Sequence, residues 1–110
     1  MIVQSVTNPE YTQDDGIVEI PAASQSLLGH QVSFGGDATT GTLAFEKKHH
    51  KDANFETLYE IDGTTPKVVD LSAPRTFQAE GIIHSFRVTP VSVDASYKVL
   101  VVSGVDEDDH

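Results

Sequence analysis

Apolar and polar residues alternate along this chain in short runs separated by Gly, Pro, Asp and Asn. Such runs, rich in β-branched and aromatic residues, predict antiparallel strands joined by turns. In residues 42–47, Leu43 and Phe45 fall on one side and Thr42, Ala44 and Glu46 on the other. Val32 and Phe34 share a face in residues 30–34, as do Phe77 and Ala79 in residues 76–79. In residues 55–61 the pattern points Phe55, Thr57, Tyr59 and Ile61 inward, opposite Glu56, Leu58 and Glu60. In residues 82–89 it points Ile82, His84, Phe86 and Val88 inward, opposite Ile83, Ser85 and Arg87.

The ends and connections complete the layout. Residues 1–6 alternate Ile2, Gln4 and Val6 against Val3 and Ser5, as in a first strand or an arm that pairs with a neighbour. Asn8-Pro9 and Asp14-Asp15-Gly16 mark an exposed connection, and a short run at residues 17–20 stops at Pro21. Residues 22–28 are too short for an independent helix and read as a loop across one end. Residues 47–54 form a polar tip, Asp62-Gly63 a tight turn, and Val68, Val69 and Leu71 the start of another strand. The last strand, residues 96–103, should point Tyr97, Val99 and Val101 inward, which leaves Leu100 and Val102 as an apolar stripe on the other face. A partner subunit or the N-terminal arm is expected to cover that stripe. The expected fold is all-β: a single antiparallel β-sandwich, jelly-roll or immunoglobulin-like, of about eight or nine short strands. The sandwich spans residues 1–104, and residues 105–110 form an acidic tail expected to be disordered.

Composition narrows the function more than the fold. At 110 residues the chain is one domain by size. It has no cysteine, so a disulfide framework, a thiolate metal site and a cysteine nucleophile are all excluded. No signal-peptide pattern and no long apolar run occurs, so neither export by a signal peptide nor a membrane span is expected. The formal net charge is −10; taking away the four acids Asp106-Glu107-Asp108-Asp109 still leaves −6. Such a balance argues against nucleic-acid binding, which needs clustered Lys and Arg.

No arrangement of residues supports catalysis. Adjacent His49 and His50 point to opposite sides of an extended chain, and Lys47, Lys48 and Lys51 around them repel a cation. His84 has no partner fixed by the sequence, so no triad is assigned. Asp14-Asp15-Gly16 and Asp62-Gly63 lack the spacing of a calcium loop, and Gly35-Gly36 lacks that of a phosphate cradle. No catalytic residue, metal ligand or cofactor site is therefore expected. The expected partner contacts are Ile2 and Val3 in the arm, the basic run Lys47, Lys48 and Lys51, and the Leu100 and Val102 stripe. The basic run is a candidate dock for the acidic tail of another copy.

Five stretches carry a family resemblance: Gly41-Thr-Leu-Ala-Phe-Glu-Lys47, Asn54-Phe-Glu-Thr-Leu-Tyr-Glu-Ile-Asp-Gly63, Val69-Asp-Leu71, Gly81-Ile-Ile-His-Ser-Phe-Arg-Val-Thr-Pro90 and Tyr97-Lys-Val-Leu-Val-Val102. Over about the last two thirds of its length the chain resembles small β-sandwich proteins of tailed bacteriophage virions. These occur as capsid decoration (cement) proteins or as head-neck and tail accessory proteins. The resemblance implies a non-enzymatic virion protein, assembled in the host cytoplasm, that forms a homo-oligomer and contacts the major capsid protein or other virion proteins. A carbohydrate-binding or adhesion module is the alternative. It is disfavoured by the absence of Trp and by the inward positions of most Tyr and Phe, Tyr11 excepted.

Overall fold

The computed structural model describes the backbone of residues 2–6, 10–22 and 29–105 and the side chains of residues 10–22 and 29–104. Residues 22–28 thus lie largely outside the described residues, as does the acidic tail from Asp106 on. Nine strands occur, with no α-helix among the described residues: β1 Ile2–Val6, β2 Val18–Pro21, β3 His30–Gly36, β4 Thr42–Lys48, β5 Glu56–Thr57, β6 Val68–Asp70, β7 Phe77–Ala79, β8 Ser85–Val91 and β9 Tyr97–Val105. Two antiparallel sheets pack face to face. One has the order β1-β9-β3-β7, the other β2-β8-β4-β5, with β6 on the same edge of β4 as β5.

The pairing order decides between the two expected sandwich types. β1 pairs with β9, β2 with β8, β3 with β7, and β4 with β5 and β6. The chain is therefore one long antiparallel ribbon, folded back on itself near residues 49–67. Winding that ribbon brings β9 beside β3 and β8 beside β4, which closes the two sheets. This is the jelly-roll order and not the immunoglobulin one.

Alternation along the long strands builds the core. Val32, Leu43, Phe45, Phe86, Val88, Tyr97, Val99 and Val101 are buried between the sheets. Phe34, Phe45 and Phe77 meet at centroid distances of 5.2–6.1 Å, in tilted and edge-to-face contacts. β9 ends the described chain but is interior to its sheet, with β1 on one side and β3 on the other. Leu100 and Val102 lie on the outer face of this central strand and are half-buried. The strand runs to Val105, so the sandwich extends one residue into the expected tail.

One expected face is reversed, and a second is reversed only at its start, since Phe86 and Val88 are buried as expected. Leu58 donates its N–H to the carbonyl of Phe45 and is buried in the row of Phe45 and Leu43. Its odd-numbered neighbours are thereby forced outward: Tyr59 is 49% exposed, Ile61 fully exposed, and Phe55 lies half-buried under Lys48 and Arg87. In the second case, Ile83 is buried and Ile82 is 48% exposed. Strand β8 begins only at Ser85, while His84 accepts from Ala22 N–H and donates to the Lys48 carbonyl. Alternation therefore breaks between Ile83 and Phe86, both buried though three residues apart.

Candidate functional site: a groove between the sheet edges

A recess lies where the edge of one sheet meets the edge of the other. The extended segment 58–61, which continues β5, forms one wall, and strand β7 forms the other. Leu58, Tyr59, Glu60, Ile61, Lys67, Phe77, Gln78 and Glu80 bound a volume of about 450 Å³. That size falls in the usual range of small-ligand or side-chain pockets.

Local chemistry holds this wall in place. Asp62 accepts from Thr64 N–H (2.9 Å), Thr65 N–H (2.8 Å) and the Thr65 hydroxyl (2.5 Å), and Gly63 takes the positive φ of 75° that the turn requires. These donors, the Thr65 hydroxyl first, lower the Asp62 pKa to about 2. The Glu60 N–H reaches the Thr65 carbonyl at 2.7 Å and the Lys67 N–H reaches the Leu58 carbonyl at 2.7 Å, so 58–67 is a stapled hairpin. Lys67 Nζ is 3.2 Å from Glu60 Oε1 and 4.6 Å from the centre of the Phe77 ring. The groove's cation is thus matched by a carboxylate and an aromatic face, and its remaining lining is apolar, amide (Gln78) and acid (Glu80).

Most residues singled out from the sequence lie elsewhere. Lys48, its side chain only 12% exposed, holds Glu19 at 3.6 Å, donates to the Lys51 carbonyl at 3.2 Å and sits 4.8 Å from the centre of the Phe55 ring. Lys47 is half-buried, while Lys51, His49 and His50 are exposed in the turn after β4. Arg87 makes a two-pronged contact with Glu46, both prongs 2.8 Å, and stacks 4.5 Å from the centre of the same Phe55 ring. This contact lowers the Glu46 pKa and raises that of Arg87. Asp14 and Asp15 belong to a 3-10 turn, residues Gln13–Asp15, where the Asp15 carboxylate accepts from Thr12 N–H at 2.7 Å. Gly36 (φ 98°) packs against Ser96 and Tyr97. Ile2 and Val3 sit in edge strand β1, opposite Val105 and Gly104. Tyr11, expected to be free, exchanges two backbone hydrogen bonds with Tyr97 (2.9 and 2.8 Å) and stacks 5.9 Å from its ring. Tyr59 is the exposed tyrosine instead.

Two buried polar groups had no sequence signal. His30 Nδ1 is 2.7 Å from Ser103 Oγ and Nε2 is 3.2 Å from the Gly81 carbonyl. A carbonyl only accepts, so Nε2 carries the proton and Nδ1 accepts from the Ser103 hydroxyl. Burial lowers the pKa of His30, opposed by its bond to Gly81. The Tyr97 hydroxyl is buried with no hydrogen-bond partner among the described residues, and burial raises its pKa to about 12. Among the described residues no three His, Asp or Glu side chains gather around a point where a metal ion would sit. No family model, curated protein or solved structure matches the chain.

Proposed function

We propose that this chain is a non-enzymatic structural protein of a phage particle, a capsid decoration (cement) protein that stabilises the shell through contacts with its neighbours. The groove carries the reading. Tyr59, Ile61 and the half-buried Phe77 offer an apolar contact surface on the hairpin and strand walls, and the one lysine there is already matched by Glu60. A segment of the major capsid protein seated in it would bury apolar area, the dominant favourable term in most protein associations. The strand pattern's resemblance to phage sandwich proteins supplies the particle. Head-neck or tail accessory placement uses the same contact chemistry. Jelly rolls serve both shell proteins and lectins, so fold by itself favours neither.

The half-exposed Tyr59 ring beside Gln78 and Glu80 favours a second reading, in which the groove takes a saccharide. An aromatic face stacks on a sugar ring, while amide and carboxylate bind its hydroxyls.

Co-sedimentation with undecorated shells of the phage that encodes the chain tests the first reading. Wild type should pellet with the shells, and Ile61→Asp, at an exposed position, should bind at least about tenfold more weakly, equivalent to about 1.4 kcal/mol. Failure of wild type to bind any shell or shell protein refutes it. A specific glycan-array signal that is lost in Tyr59→Ala would establish the saccharide reading instead.

A further inference from the structure

We propose that the free edge of β1 is a self-association surface, which joins two copies of this chain through an antiparallel β1–β1 pair. β1 closes its sheet on one side: it pairs with β9 over five positions, from Ile2 opposite Val105 to Val6 opposite Val101. Among the described residues no strand lies on its other side. An edge strand offers a row of backbone donors and acceptors to any chain that can reach it, and folded proteins usually blunt such edges with charge, proline or shortness.

The other edges of this sandwich are blunted in these ways. β2 has four residues, including Glu19 and Pro21. β5 has two residues, one of them Glu56, and β6 has three, ending in Asp70. β7 has three residues and is followed by Glu80. β3 runs past β7 from Ser33 to Gly36, and two of those four residues are glycines. β1 has none of these devices: Ile-Val-Gln-Ser-Val contains no charge, no proline and no glycine.

The occupant best suited to this edge is a second β1. The five residues are centred on Gln4, so a two-fold axis through Gln4 pairs the strand over its whole length. Ile2 then faces Val6 of the second copy, Val3 faces Ser5, and Gln4 faces Gln4. No like charges meet across the seam. The pair fuses two four-stranded sheets into one continuous sheet and adds main-chain hydrogen bonds without needing a special pocket. This goes beyond the particle reading and does not depend on it, since the pair forms in the purified chain alone.

The absence of cysteine makes a clean test possible. Opposed residues of an antiparallel pair have Cα atoms about 4.5–5.5 Å apart, within disulfide reach. Mildly oxidised Gln4→Cys should therefore yield a covalent dimer in high proportion, whereas Gln78→Cys, at the centre of β7, should not. Wild type should sediment as a dimer at about 100 μM, a concentration at which even weak pairs form. Gln4→Lys places two like charges directly opposite and should shift the protein to monomer with an unchanged melting temperature. A wild type that stays monomeric at that concentration overturns the proposal, as does a Gln4→Cys dimer no more abundant than the Gln78→Cys control. If Gln4→Lys melts lower, the cysteine pair and the wild-type sedimentation decide the matter.

Discussion

At the scale of single residues, His30 is a polar group that the interior of the sandwich has to satisfy. It is buried with Ser103 and the Gly81 carbonyl, and its ring meets Phe86 edge-on at 6.2 Å. The bonds tie β3 to β9 and to the turn after β7. Ser103→Ala removes the donor to Nδ1 and leaves a buried acceptor unsatisfied, which should cost about 1–3 kcal/mol in urea unfolding. Replacing both partners, as His30→Leu with Ser103→Ala, should cost less than the sum of the single changes, because neither is left alone. The same histidine sets a pH response. Its folded pKa lies below 6.5, so as pH falls through 6.5 the unfolded chain takes up the proton first. The stability contributed by neutral His30 is therefore complete above that value and is lost progressively below it. Urea midpoints at about pH 7.5 and 5.5 should show a smaller drop in His30→Leu than in wild type. None of this was legible beforehand, because His30 and Ser103 are 73 positions apart and strand periodicity marks a face but names no partner.

At the scale of elements, the sequence pattern was reliable where a strand is long and paired on both sides. The inward sets of β4 and β9 are as expected, since alternation over seven and nine residues leaves no freedom of register. It failed in residues 55–61 and 82–84, where pairing with β4 and not the count of apolar residues decides which side is buried. One Leu58 in the row of Phe45 outweighs Phe55, Tyr59 and Ile61 together. The first of these errors concerns the site directly, because the outward turn of Tyr59 and Ile61 makes the groove. Entry into β4 is guarded by a glycine. Gly41 has φ 107°, and a Cβ there would lie 2.6 Å from Val93 Cα and 2.7 Å from the Ser92 carbonyl oxygen, both backbone. Neither contact relaxes without moving the β8–β9 connection. Gly41→Ala should therefore lower stability by at least about 2 kcal/mol, whereas Gly63→Ala, whose Cβ meets nothing within 4 Å, should cost only its φ penalty of about 1 kcal/mol. Thermal melts of the two variants side by side separate crowding from backbone strain.

At the scale of the whole molecule, charge and edge geometry make opposite demands. A formal charge of −10 means that two copies repel each other, with four of the acids directly following β9, the strand that pairs with β1. Two modes of self-association respond to this field in opposite directions. Docking of the basic turn around Lys47 and Lys51 onto the acidic tail of another copy is an ion-pair contact, so salt would weaken it and deletion of residues 106–110 would abolish it. The structure reduces that mode's cations, since Lys48 is already engaged by Glu19 and Phe55. Pairing through β1 uses main-chain hydrogen bonds and uncharged side chains, so salt relieves the repulsion without touching the contact. Raising sodium chloride from about 0.05 to 0.5 M should therefore tighten the dimer, as should deletion of residues 106–110 at low salt, measured by sedimentation equilibrium. Weaker association under either change would assign the contact to the tail and the basic turn, and leave β1 as an edge guarded only by the repulsion of the chains that carry it.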